Sequence, residues 1–256
     1  MNGQKFRCTI EIAGIPAEIC CFRKENRDFF KDYLSDRAPL FTVEPSTDDL
    51  ERMRQTMDRL ADYEGRPRAQ HSPVLLESNA IHELLAEKLA GYNILMLHGS
   101  ALSMDGEAYI FTAPSGTGKS THARLWRETF GNRVIMINDD KPLLKITDSC
   151  VFVYGTPWDG KHHLSCNCCA PLKAIVRLSR STVNHIEPMD KAGGFLTLME
   201  QVYLSKDPVN KTRILTMINK IVHLSDFYHL GCTMAPETAM YVWNYIHEEN
   251  RNVREE

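Results

Sequence analysis

Residues 113–121 read Ala113-Pro114-Ser115-Gly116-Thr117-Gly118-Lys119-Ser120-Thr121, and the fold is read outward from them. This is the Walker A phosphate-loop pattern with alanine at its first glycine position. Gly116 and Gly118 let the backbone turn its amides inward around phosphate oxygens, where a Cβ would intrude. Lys119 is placed as a point charge for the β- and γ-phosphates, and Ser120 is placed to ligate Mg²⁺. The run 108–113 (AYIFTA) reads as the entering strand. The run 119–129 reads as the departing helix, with Ala123, Leu125, Trp126 and Phe130 apolar and the positive end of its dipole turned to the same anion.

Upstream, Asp105-Gly106 sits between two strand-like runs, which predicts a hairpin whose second arm enters the loop. Residues 93–97 (NILML) predict a short buried strand. Downstream, 133–140 (RVIMINDD) predicts an apolar strand ending in two carboxylates. Asp139 and Asp140 lie about twenty positions past Lys119, room for one helix and a return strand. One carboxylate can hold the metal and the other can accept the proton of an attacking hydroxyl. Which does which stays open.

The combination of LHGSAL, the DG turn, AYIFTAPSGTGKST and INDDKP resembles the superfamily of HPr kinase/phosphorylase and phosphoenolpyruvate carboxykinase over about residues 95–180. It is most similar to small HPr kinase-like proteins, some of which act with peptide-modification systems, including kinases that phosphorylate a serine of a lasso-type precursor peptide. Residues 155–161 (GTPWDGK) and 170–178 (APLKAIVRL) look like that subgroup. The glycine- and asparagine-rich signature loop of HPr kinases is not recognisable, so HPr as substrate is not expected. The chain has about half the length of a carboxykinase, so decarboxylation is not expected either.

The resemblance implies an α/β fold with a mixed sheet and a small N-terminal α+β portion. It implies an ATP- and Mg²⁺-dependent kinase acting on a hydroxyl, a serine above all, of a peptide, protein or small molecule, and it brings His98 of LHGS close to the transferred phosphate. Two alternatives remain: a nucleotide-binding regulatory module with little turnover, and a phosphorylase or phosphohydrolase running the reverse reaction.

Further candidates follow from the residues. Trp158 and Lys161, in a Gly/Pro turn after the 151–154 strand, could line the substrate or phosphate side. Arg177 and Arg180, on a strand over 172–179 and just past it, could meet phosphoryl charge. His162, His163, Cys166, Cys168 and Cys169 crowd together, and Cys166 and Cys169 have C-x-x-C spacing. No second ligand pair accompanies them, so the expectation is a loop with reduced thiols rather than zinc.

The rest of the chain is ordinary globular sequence. A hairpin is expected over 5–22, helices over 27–35 (capped by Asn26), about 47–60 (capped by Ser46 or Thr47), and from Asn79, with a linker at 63–73. These bounds suggest an N-terminal portion over 1–75, suited to substrate or peptide capture, and a catalytic domain over 79–256. Helices are also expected over 190–204, 210–224 and from Pro236 to Ile246, with a polar tail (NVREE). The chain of 256 residues has a net charge of −3, 43% hydrophobic residues and eight cysteines. Near-neutral charge argues against nucleic acid or an anionic membrane as a bulk-charge partner. No apolar run reaches the about 18–20 residues of a membrane-spanning helix, and the N-terminus lacks an export pattern, so the expected compartment is the cytoplasm. Assembly into a homo-oligomer is left open.

Overall fold

A computed structural model describes residues 5–63 and 65–252, with side chains to 248. The expected frayed tail lies outside the described residues. The chain divides into two compact units, 1–92 and 93–256.

In the first unit, β1 (Phe6–Ile12) and β2 (Ile15–Cys21) form the expected hairpin, turning at Ala13 and Gly14, both with positive φ. α1 (Lys24–Phe29) follows, then a 3₁₀ turn at Lys31–Tyr33. β3 (Phe41–Val43) adds in parallel to β2. α2 (Thr47–Tyr63) is capped by Ser46, whose Oγ accepts from the Asp49 amide at 3.1 Å while Asp49 Oδ2 accepts from the Ser46 amide at 2.7 Å. α3 (Pro73–Ala90) completes the unit.

Two boundaries differ from expectation. Asn26 does not cap a helix; it is buried inside α1, and its Nδ2 donates to Glu77 Oε2 at 2.6 Å and to the Val74 carbonyl at 3.1 Å. Glu77 also accepts from the backbone amides of Phe22 and Arg23, so one buried carboxylate ties the end of the hairpin to α3. That long-range bond has no local signal. α3 begins at Pro73 rather than Asn79 because Ser72 caps it, accepting from the Leu75 amide, and proline suits the first helical position. The helix expected at the head of the second domain therefore belongs to the first unit.

The second unit holds β4 (Ile94–Met96), β5 (Ser100–Met104), β6 (Glu107–Thr112), α4 (Lys119–Phe130), β7 (Val134–Asn138), β8 (Leu143–Ile146), β9 (Val151–Tyr154), β10 (Cys169–Arg180), β11 (His185–Pro188), α5 (Lys191–Gln201), α6 (Pro208–Leu224), β12 (Asp226–Cys232) and α7 (Thr238–Asn252). β5 and β6 pair antiparallel through the Asp105-Gly106 turn, where both residues take positive φ as a two-residue hairpin of right-handed strands demands. Strands β8, β11 and β12 carry too little period-2 patterning to be expected from the sequence.

The strands run β4-β8-β9-β10-β6-β5-β7, with β12 on β10 and β11 on β12. β10 makes this one sheet: Cys169–Pro171 pairs antiparallel with β9, while the rest pairs parallel with β6 and β12. β7 is antiparallel to β5, hence parallel to β6. So β6, β7, β10 and β12 all end at one edge of the sheet, the edge where α/β proteins bind ligands. α4 packs on this sheet through Trp126, fully buried among Tyr109, Phe111, Phe130 and Trp243. Truncating such an aromatic to alanine costs about 3–5 kcal/mol, so α4 and the loop before it are firmly seated.

Candidate functional site

The segment 113–118 leaves β6 and turns into α4 at that edge. Gly116 and Gly118 have φ of +75° and +123°, and a Cβ at either would meet no clash in space. Backbone conformation is therefore what demands glycine there. Lys119 is buried and donates from Nζ to the Ala113 carbonyl at 2.9 Å. Burial holds its pKa below the usual lysine value, against the opposing pull of the Asp140 and Asp139 carboxylates. Arg180, at the end of β10, donates from Nη2 to the Gly116 carbonyl at 2.8 Å, so the tip of the loop carries a guanidinium.

The paired aspartates follow β7, two strands from β6. Asn138 is the fastening, and it is fully buried. Its Oδ1 accepts from the amides of Asp140 (2.8 Å) and Lys141 (2.6 Å), and its Nδ2 donates to the Thr156 carbonyl (3.0 Å) and Oγ1 (3.1 Å). Thr156 in turn donates to the Lys141 carbonyl at 2.9 Å. The chain reversal at 138–141 is thus an Asx-type turn bolted to the segment after β9. Ser100, the first residue of β5, donates to Asp139 Oδ1 at 2.6 Å. Asp139 Oδ2 accepts no hydrogen bond among the described residues.

Asp140 meets His98. The strand end 97–99 zips along 140–142 through Leu97 amide to Pro142 carbonyl and Gly99 amide to Asp140 carbonyl, both 3.1 Å. His98 Nδ1 lies 3.1 Å from Asp140 Oδ1 and 3.0 Å from Lys141 Nζ. One nitrogen serves one of them at a time: it donates to the carboxylate or accepts from the ammonium. The hydrogen bond to Asp140 raises the His98 pKa, but burial and the charges of Lys141 and Lys119 outweigh it, and the net shift is downward. His98 is therefore neutral at pH 7.

Lys119, Ser120, Asp139, Asp140, His98 and Lys161 line one cavity of about 460 Å³ together with His162. Gly160, at φ +73°, turns Lys161 and His162 into it. The donors Ser120, Asp139 and Asp140 are hard oxygens beside a lysine, which suits Mg²⁺ held jointly with phosphate. Pro114 is exposed at the base of the loop, Ser115 also lines this cavity, and Thr117 lines the neighbouring one. Trp158 is buried, 7% exposed, and so plugs the fold at the edge of the site. Arg177 is tied to α5, with Nη2 2.8 Å from Glu200 Oε2, so the arginine that reaches the loop is Arg180.

Gly155 explains why 155–168 lies where it does. A Cβ there would stand 1.9 Å from the Cys166 carbonyl oxygen and 2.7 Å from that of Ile137. Asp159, also buried, accepts from Ser165 Oγ at 3.0 Å and pairs with His163 Nδ1 at 3.1 Å. The expectation of wholly reduced thiols is corrected here: Cys166 and Cys168 form a disulfide, their Cα atoms brought to 5.2 Å by the local bend. Among the described residues, no group of three or more His, Cys, Asp or Glu side chains is arranged to hold a metal.

A second cavity, about 590 Å³, flanks the loop on its Arg180 side and is lined by Gly116, Thr121, His122 and Thr233 among others. His122 is buried, and burial pushes its pKa down to about 3. Trp126 Nε1 donates to its Nε2 at 3.2 Å, which leaves the ring proton on Nδ1, a buried donor with no partner. Sequence reasoning missed Ser100, Asn138, Thr156 and His122. Only Asn138 had a local signal, as an asparagine at a strand end before two aspartates.

Among the described residues, no helix is long and apolar enough to cross a membrane. No protein-family model matches the chain. No curated protein matches it. Among solved structures the chain is similar to the Hpr(Ser) kinase/phosphatase from Coxiella burnetii, at 12% identity and a TM-score of 0.34, over 62% of this chain and 92% of that one.

Proposed function

We propose that the second unit is a nucleotide-dependent phosphotransferase that moves the γ-phosphoryl group of ATP to a hydroxyl. The observation that carries this is one cavity lined by Lys119, Ser120, Asp139 and Asp140, at the sheet edge where β6 and β7 both end on either side of β5. Lys119 holds the β- and γ-phosphates, and the amides of 115–119 cradle them. Ser120 and Asp140 would hold Mg²⁺, which supplies charge neutralisation on the phosphates when bound. Asp139, with Oδ1 fixed by Ser100 and Oδ2 open, takes the hydroxyl proton. His98, neutral and against Asp140, orients that carboxylate. Arg180 steadies the loop tip, and the 590 Å³ cavity receives the nucleoside, with His122 Nδ1 as donor. The hairpin-based first unit is the candidate for capturing a peptide or protein acceptor along its sheet edge.

Titration with MgATP and transfer of γ-labelled phosphate to a pool of hydroxyl peptides and small alcohols test the reading. Lys119→Met should weaken MgATP binding at least about tenfold, or 1.4 kcal/mol. Asp139→Asn should bind MgATP and transfer no label. A Lys119→Met chain that binds MgATP like its parent refutes the proposal.

A further inference from the structure

The phosphotransferase reading leaves one charged cavity unused. A cleft of about 410 Å³ lies on the other side of α4, lined by Ser120, Arg124, Arg127, Met136, Asp139 and His162 among others. It shares Thr121 with the cavity given to the nucleoside, and Ser120, Thr121, Asp139 and His162 with the phosphate cavity, which it adjoins. Residues 120, 124 and 127 repeat at helical spacing, so Ser120 and both arginines fall on one face of α4. Both guanidinium-bearing residues line the cleft together with Ser120 and Asp139.

The two arginines are not equivalent. Arg124 is exposed and pairs with Glu128 at 2.8 Å. The Arg127 side chain has neither an ion pair nor a hydrogen bond among the described residues, and its Nε is buried without a partner. A half-buried guanidinium with no counter-charge costs the fold stability and returns none. Such a group is kept where an anion arrives to pair with it, and a planar fork suits a carboxylate or a phosphate.

We propose that this cleft is the acceptor subsite and that it selects a hydroxyl whose near neighbour is anionic, a carboxylate or a phosphate held by Arg127 with help from Arg124. The proposal rests on the phosphotransferase reading and names its substrate class. Transfer forms the acceptor O–P bond, breaks the bond from the γ-phosphorus to the β–γ bridging oxygen, sends the hydroxyl proton to Asp139 and releases ADP. The nucleotide enters from the Arg180 side and the acceptor from the Arg127 side, so the two meet at Ser120 and Asp139.

The test is binding and turnover on the full chain saturated with MgADP or MgATP. Three peptides serve as probes: a serine flanked by glutamates, the same peptide with glutamines, and one with phosphoserines. The glutamate or the phosphoserine peptide should bind at least about tenfold tighter than the glutamine peptide, and whichever binds tighter identifies the anion. That preference should fall as ionic strength rises. Arg127→Met should erase it and raise the acceptor KM more than it lowers kcat, with no loss in thermal midpoint. Equal binding of all three peptides by the parent chain overturns the proposal, as does an Arg127→Met chain that keeps the preference. If Arg127→Met does not fold, the parent's discrimination among the peptides decides alone. Anion preference without label transfer leaves the cleft standing and sinks the phosphotransferase reading; label transfer without anion preference does the reverse.

Discussion

Asn138→Ala removes the fastening of the paired aspartates without touching any group placed in contact with nucleotide. The side chain makes four hydrogen bonds, two accepted and two donated, from a fully buried position. Each is worth about 0.5–1.5 kcal/mol net, and truncation also strands the Thr156 carbonyl, so a loss of about 3 kcal/mol is expected. For a unit of this size, 1 kcal/mol moves the thermal midpoint by about 2–4 °C, which gives a drop of about 6–12 °C. Urea unfolding should show a lower midpoint at unchanged slope. The loop at 113–121 does not depend on Asn138, so MgATP binding should persist while label transfer falls as Asp139 and Asp140 lose their fixed positions. Asn138→Asp separates the two halves of the bond set. It keeps the acceptor for the Asp140 and Lys141 amides but sets a carboxylate oxygen against the Thr156 carbonyl, and it should be no more stable than the alanine variant. An Asn138→Ala chain that unfolds within about 1 kcal/mol of its parent and transfers label at the same rate refutes the argument that this turn is held by Asn138.

His122 makes the second unit acid-sensitive. Its folded-state pKa, about 3, lies below the unfolded value near 6.5, so the stability it permits is fully present above about pH 6.5 and drains as pH falls toward 3, on the order of 5 kcal/mol at the limit. His122→Phe should flatten that slope in a pH series of denaturation midpoints; an unchanged slope would show that another group controls it. Gly155→Ala should cost about 3 kcal/mol, the upper end for overpacking, because the new Cβ meets backbone oxygens that cannot swing aside. Thermal melts check this, and a midpoint within 2 °C of the parent would rule it out. In the first unit, Glu77→Ala strands the Phe22 and Arg23 amides and takes from Asn26 Nδ2 one of its two acceptors, for a loss of about 3 kcal/mol. Limited proteolysis of the hairpin region should become faster, and equal cleavage rates would count against the carboxylate as that unit's anchor.

Much of this was local and therefore legible. Walker-type spacing at 113–121, the Asp105-Gly106 turn and the apolar strand ending in Asp139-Asp140 each depend on neighbours within a few positions, where φ preference and residue type act directly. Those three features place the Walker-type segment, its entering hairpin and the paired carboxylates with no knowledge of the sheet. What the sequence could not announce depends on pairing across long separations. Glu77 buried against Asn26, Thr156 bolted to Asn138, Ser100 on Asp139 and Arg180 on Gly116 join residues 18 to 64 positions apart. Only the parallel arrangement of β6, β7 and β10 brings their ends to one edge and decides which arginine meets the loop. Strand order has no local code, because a backbone hydrogen bond to one strand looks the same in sequence as a bond to another. Short-range chemistry thus determined what the site is made of, and burial across the sheet decided where each group points.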